Sequence, residues 1–351
     1  MDNYIGTIEG FFGEPWSWDA RRDHVNFLAS KNLNFYMYAP KADSYLRKNW
    51  KEEFPEDHFE RLQSLRRTCG ESNVKFGIGF SPFEIFHDFG TEAQQTLLKK
   101  LRSIDKLEAD VLGILFDDMD GNIQNLAELQ ANIVNFICQN SSAPKITFCP
   151  TYYSFDPILD KVFGERPKNY LEDLNKLLDK NVDIMWTGPK VCSKELTKEH
   201  LESVVKLLGR KPLIWDNYPV NDGPKNCKFI FLDAFKNRDP SMKDYISGYM
   251  SNPMNQAYLS QIPLSTLANF FENPKDYSPN SSLKSAIDAY DIDSELPKSF
   301  NLLEEKGLDN LSENDREHIK GIFSNSPSSL QNEIEDWLDG KYIVGSECLT
   351  Q

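Results

Sequence analysis

The sequence predicts an α/β fold, a (β/α)8 TIM barrel followed by a small C-terminal helical domain, and three observations predict it. Short apolar or β-branched runs recur along the chain, amphipathic stretches of helical spacing separate most of them, and polar, aromatic and glycine-rich segments follow the runs. Alternating strand and helix implies a parallel sheet, and eight repeats suit a closed barrel better than an open doubly wound sheet.

In chain order the expected strands are Tyr4 to Ile8, Leu33 to Tyr38, Val74 to Phe80, Val111 to Phe116, Lys145 to Cys149, Val182 to Trp186, Pro212 to Trp215 and Ile246 to Met250. Helical spacing marks Ala20 to Lys31, His58 to Cys69, Glu92 to Leu107, Gln124 to Gln139, Asn169 to Leu178 and Lys194 to Leu208. The connection from Lys225 to Tyr245 is irregular, with Phe229 to Phe235 apolar and only a doubtful helix. Past Phe271 the character changes. Asn273 to Ser282 reads as a turn-rich linker, followed by helical patterns at Leu283 to Tyr290, Phe300 to Lys306, Glu313 to Phe323 and Ser328 to Leu338. Ser312 with Asp315 forms a capping arrangement, and Leu330, Ile334, Trp337 and Leu338 make an apolar stripe. The expected division is therefore residues 1–273 for the barrel and 283–351 for a helical domain, which either packs on the barrel flank or supplies a homodimer surface or part of a substrate groove.

Barrels of this kind carry chemistry on the loops at the C-terminal ends of their strands. Here those loops are Glu9 to Ser17, Ala39 to Asp43, Ser81 to Glu84, Asp117 to Asn122, Pro150 to Asp156, Thr187 to Lys190, Asp216 to Asp222 and Ser251 to Asn255. Any one of them is ordinary turn composition. Together, with a lysine, tyrosines, tryptophans and amides, they describe the rim of a sugar pocket: aromatic walls for the apolar face of the ring, carboxylates and amides for its hydroxyls.

The fourth run, ending in Leu115 and Phe116, stops on two adjacent acids, Asp117 and Asp118. An Asp-Asp pair after a strand also serves as a helix N-cap or turn. At the mouth of a cleft, though, mutual repulsion and desolvation separate two carboxyl pKa values, giving one acid and one anion at a single pH, which is what glycoside chemistry needs.

EGFFGEPWS, YMYAPKAD, LFDDMD, FCPTYY, WTGPKV, WDNYPVND and SNP stand in this order between Ile5 and Phe271. This pattern resembles the glycoside hydrolase family of protein O-GlcNAcases and bacterial β-N-acetylglucosaminidases, some of them labelled hyaluronidases. The resemblance implies a retaining, substrate-assisted mechanism in which the 2-acetamido oxygen attacks its own anomeric carbon, an exception to the two-carboxylate nucleophile scheme. It implies that Asp117 polarises the acetamido N–H and that Asp118 is the general acid and then base. By the same resemblance Tyr153 and Asn217 would act on the acetamido group. Gly10, through its carbonyl, and Lys41, Asp222 and Asn252 would bind sugar hydroxyls, while Trp215, Cys149 and Thr187 would floor the pocket for the acetyl methyl. Taken alone, several of these residues have plainer readings. Gly10 fits a turn, Asn252 an Asx-turn before Pro253, Lys41 a solvated loop, Trp215 barrel packing and Cys149 a small buried hydrophobe. Phe12 replaces the tyrosine usual in the first motif and Tyr152 an acidic residue often found before the equivalent of Tyr153.

Composition bounds the rest. The formal net charge of −15 repels nucleic acid and anionic membranes, and it disfavours a polyanion such as hyaluronan as substrate. A GlcNAc-bearing protein or a neutral chitin-like oligosaccharide fits better. No run approaches a membrane span, and a first strand at Tyr4 leaves no room for a signal peptide, so the expected location is cytoplasmic, with leaderless export as the alternative. The six cysteines lack C-x-x-C spacing, the five histidines lack ligand spacing, and Asp117 to Asp120 is no EF-hand loop, so neither metal nor other cofactor is expected.

Overall fold

The computed structural model describes residues 4–117, 119–345, 348 and 350. Eight parallel strands close into a barrel in sequential order: β1 (Tyr4–Glu9), β2 (Phe35–Tyr38), β3 (Lys75–Phe80), β4 (Val111–Leu115), β5 (Lys145–Cys149), β6 (Asp183–Trp186), β7 (Leu213–Asp216) and β8 (Gly248–Ser251). Closure is by β1 against β8, with Tyr4 opposite Gly248 and Thr7 opposite Ser251. The apolar runs become strands because both faces of a barrel strand are covered, one by the interior and one by the helices.

The outer helices are α1 (Trp18–Ser30), α2 (Glu56–Glu71), α3 (Thr91–Asp105), α4 (Leu126–Asn140), α5 (Pro157–Phe163), α6 (Tyr170–Leu177), α7 (Lys198–Leu208), α8 (Gly223–Asn226) and α9 (Gln261–Glu272). The caps are local: Ser17 accepts from the Ala20 amide, Asp156 from Ile158 and Thr197 from His200.

Three helices escape the periodicity argument. Ten of the twelve residues of α9 are buried, so no polar stripe marks it. The helices α5 and α8 are too short to show a period. The weak 225–245 connection holds only the end of α8 and one turn of 3₁₀ helix at Met242–Asp244.

Beyond the barrel come α10 (Pro279–Ala289), a π-helical turn (Asn301–Lys306), α11 (Glu313–Ile322) and α12 (Ser328–Leu338). The linker expected to run to Ser282 is shorter, because Pro279 opens α10 in the first turn, where its missing N–H costs nothing. Ser312 and Asp315 form a full capping box at α11.

Two apolar cores result. One fills the barrel and its helix layer. The other joins Leu283, Leu296, Leu303, Ile319, Ile334 and Trp337 of the C-terminal helices to Ile230, Leu232, Met254 and Ile262, which flank β8. The C-terminal stripe expected from sequence is thus covered by the β7–β8 connection and the start of α9. Among the described residues no helix is long and apolar enough to cross a membrane.

Candidate active site

The strand tips converge on one cavity lined by Gly10, Lys41, Asp117, Cys149, Tyr153, Thr187, Trp215, Asn217, Asp222 and Asn252. Asp118, the eleventh residue singled out from sequence, lies outside the described residues.

Asp117 follows β4 on a loop fixed from β5: the Phe116 amide donates to the Cys149 carbonyl (2.9 Å) and the Phe116 carbonyl accepts from the Thr151 hydroxyl (3.0 Å). Gln130 of α4 donates to that hydroxyl (2.8 Å) and accepts from Tyr170 of α6. Lys41 is buried, its ammonium 2.5 Å from Asp117 Oδ2 and near the rings of Phe12 and Trp215. That is not a solvated loop lysine. It supplies the counter-charge that an anionic Asp117 requires out of water.

Tyr153 sits between the β5 and β6 tips. Its carbonyl accepts from the Thr187 amide (3.0 Å), and Ser154 donates to the Gly188 carbonyl (3.0 Å), extending the sheet by one bridge. Tyr152 faces elsewhere: its hydroxyl donates to the Gly164 carbonyl (2.7 Å). Burial pushes that phenol up to about 12, so it is a neutral brace for the loop.

On the opposite wall, Asn217 Oδ1 accepts from Trp215 Nε1 (2.9 Å) and from Asn252 Nδ2 (3.0 Å), while Asn217 Nδ2 donates to the Val191 carbonyl (2.9 Å). Asn252 Oδ1 accepts from the Gly10 amide (3.2 Å), so its amide links β1, β7 and β8 and is no Asx-turn. Gly10 is required by close approach: a Cβ there would lie 2.5 Å from the Trp215 ring. Asp222 Oδ2 accepts from the Phe12 amide (2.8 Å).

A buried ion pair lies beneath this wall. Arg238 holds Asp216 through Nε and Nη2, each at 2.8 Å, and the Tyr249 hydroxyl donates to the same carboxylate. Burial pulls the guanidinium pKa down more than any single neighbour raises it, but the charges and hydrogen bonds of Asp216 and Tyr249 together outweigh burial and leave the net value raised.

The cavity also takes in Phe12, Val191, Cys192, Val220, Cys348 and Thr350. Val191 closes WTGPKV, Cys192 directly follows it and Val220 lies inside WDNYPVND, so a place in or beside a motif was their only signal. Cys348 and Thr350 had none, since they come from the far end of the chain.

A barrel that gathers a buried carboxylate–ammonium pair, amides, a tyrosine and a tryptophan around one cavity at its strand tips has the composition of a sugar-binding site. The family model described as beta-N-acetylglucosaminidase matches residues 5–304, and the chain belongs to that family. It is 31% identical over 277 residues to the Protein O-GlcNAcase of Rattus norvegicus and equally to that of Mus musculus, covering 76% of this chain. The chain spans about 30% of the length of these curated relatives. A mutant O-GlcNAc hydrolase from Thermobaculum terrenum superposes with a TM-score of 0.80 at 30% identity, covering 96% of this chain and 81% of that one.

Proposed function

We propose that the chain is a retaining exo-β-N-acetylglucosaminidase that removes O-linked GlcNAc from Ser and Thr of proteins by substrate-assisted catalysis. The observation that carries this is the single cavity joining Asp117, Tyr153, Asn217, Asp222 and Asn252. Asp117, anionic beside Lys41, holds and polarises the acetamido N–H. The acetamido oxygen then forms a bond to the anomeric carbon as the glycosidic bond breaks, and Asp118 passes its proton to the departing oxygen. Water next attacks the anomeric carbon of the oxazoline as the bond from that carbon to the acetamido oxygen breaks, the proton of the water going to Asp118, and two inversions leave the configuration retained. The nucleophile is part of the substrate, so little translational entropy is lost before attack. Tyr153 donates to the acetamido oxygen and Asn217 orients the group. Trp215, Cys149 and Thr187 enclose the acetyl methyl, while Gly10, Lys41, Asp222 and Asn252 hold the ring hydroxyls.

In this reading residues 1–273 are the catalytic barrel and 283–351 a helical unit bracing the β7–β8 connection. Its partner is a GlcNAc-bearing protein, and its place is the cytoplasm, which fractionation of the native source tests. The charge of −15 favours a neutral sugar over hyaluronan.

Release of 4-nitrophenol from its GlcNAc glycoside tests the chemistry. Asp117→Asn and Asp118→Asn should each cost about 10²- to 10⁴-fold in kcat, and Asp117→Asn should also lower the melting temperature, because it removes the carboxylate paired with the buried Lys41 ammonium. Equal turnover of the matching glucoside, which lacks the acetamido group, would rule the mechanism out. Comparing a GlcNAc-modified protein with hyaluronan and chitin fragments decides the substrate.

A further inference from the structure

Beside the sugar cavity lies a second, larger one of about 560 Å³, sharing Cys192, Asn217 and Val220 with it. Half-buried Tyr218 and Phe231 give it an aromatic side. Its charges are Lys194, Lys236 and Arg238 against Asp233 and Glu304.

Their pairing leaves one cation over. Arg238 is committed to Asp216, and Lys236 binds Asp233. Glu304 accepts the Leu232 and Asp233 amides at 2.9 and 3.0 Å. Burial pushes its carboxyl up to about 7, so near neutrality it carries only part of a charge. Lys194 is exposed at the rim and has no carboxylate partner among the described residues. On a surface of net charge −15, this leaves an exposed cation at the rim of the groove that adjoins the sugar cavity.

We propose that this groove is the subsite for the polypeptide leaving group, and that it selects acidic residues flanking the glycosylated Ser or Thr. This rests on the function proposed above. The shared wall of Cys192, Asn217 and Val220 sets the groove beside the sugar site, so an extended peptide leaving the sugar runs between the aromatic side and Lys194. The aromatic pair covers apolar peptide surface and the ammonium pairs with a carboxylate.

The test uses the full chain, 4-nitrophenyl GlcNAc, and two synthetic GlcNAc-serine peptides that differ only in Glu or Lys at the flanking positions. The Glu peptide should show the higher kcat/KM, about five- to tenfold, with the difference shrinking as salt is raised. Lys194→Glu should abolish or invert that preference while leaving aryl-glycoside turnover and melting temperature unchanged. Equal rates for the two peptides, or a preference that survives in Lys194→Glu, overturns the groove and leaves the glycosidase standing. Failure to hydrolyse the aryl glycoside removes the activity itself, and the groove with it.

Discussion

The two walls of the sugar cavity are braced over different ranges. On the β4–β5 side, the loop carrying Asp117 hangs from an uncharged relay, Tyr170 to Gln130 to Thr151 to the Phe116 carbonyl. On the β7–β8 side, Asn217 follows a strand tip clamped by the buried pair of Arg238 and Asp216, and two carboxylates from the C-terminal helices grip the adjacent loops. Glu304 takes the Leu232 and Asp233 amides, and Glu333 those of Tyr258 and Leu259. The first wall lies between neighbouring strand tips and needs only short-range bonds. The second has a long connection to anchor, and it does so with one buried ion pair and two carboxyl groups that accept backbone amides. A neutral relay that loses a member leaves a polar group unsatisfied, whereas an ion pair that loses one leaves a charge out of water, a greater cost.

The largest effect should follow from Arg238→Met, which strands the Asp216 carboxylate. A loss of about 3–5 kcal/mol in urea unfolding is expected, with partial recovery on adding Asp216→Asn. An unchanged midpoint would mean that this wall does not depend on its charge.

Next comes the pH response of Glu333. Burial raises its carboxyl from 4.5 to about 8, overcoming the backbone amides that lower it. Its protonated form therefore suits the folded state. The associated stability is present in full below the unfolded value of 4.5 and is lost as pH rises through about 8. Relative to Glu333→Gln, wild type should lose on the order of 5 kcal/mol across that window in pH-resolved melting, with a weaker parallel trend for Glu304→Gln. A flat difference would contradict the clamp.

Smaller still, Gln130→Leu should cost about 1–3 kcal/mol, since the Tyr170 and Thr151 hydroxyls each lose a partner. Thr151→Val, which removes one hydroxyl while nearly keeping volume, should cost about 1 kcal/mol. Both should lower kcat on 4-nitrophenyl GlcNAc with little change in KM, because they move Asp117 rather than the sugar-hydroxyl contacts. A rise in KM alone would argue against the relay as a support for Asp117.

The eight strand positions and the strand-tip location of the motifs were legible in sequence, because a strand covered on both faces is a short apolar run and a barrel loop is polar whatever its neighbours do. The capping box at Ser312 was legible for the same reason, its two partners lying three residues apart. Helix α9 was not, since burial on nearly every side erases the amphipathic period.

Bonds between residues far apart in sequence belong to the tertiary structure alone. Arg238 reaches Asp216, Glu333 reaches Tyr258, Asn252 reaches Gly10, and Cys348 and Thr350 line a cavity built from the barrel. Residue order and local periodicity fixed which segments became strands and which tips carried acids and amides. Which amide faces which carboxylate, and that the β7–β8 connection shares its apolar core with the C-terminal helices, depended on closing the barrel, because those contacts exist only once distant segments meet.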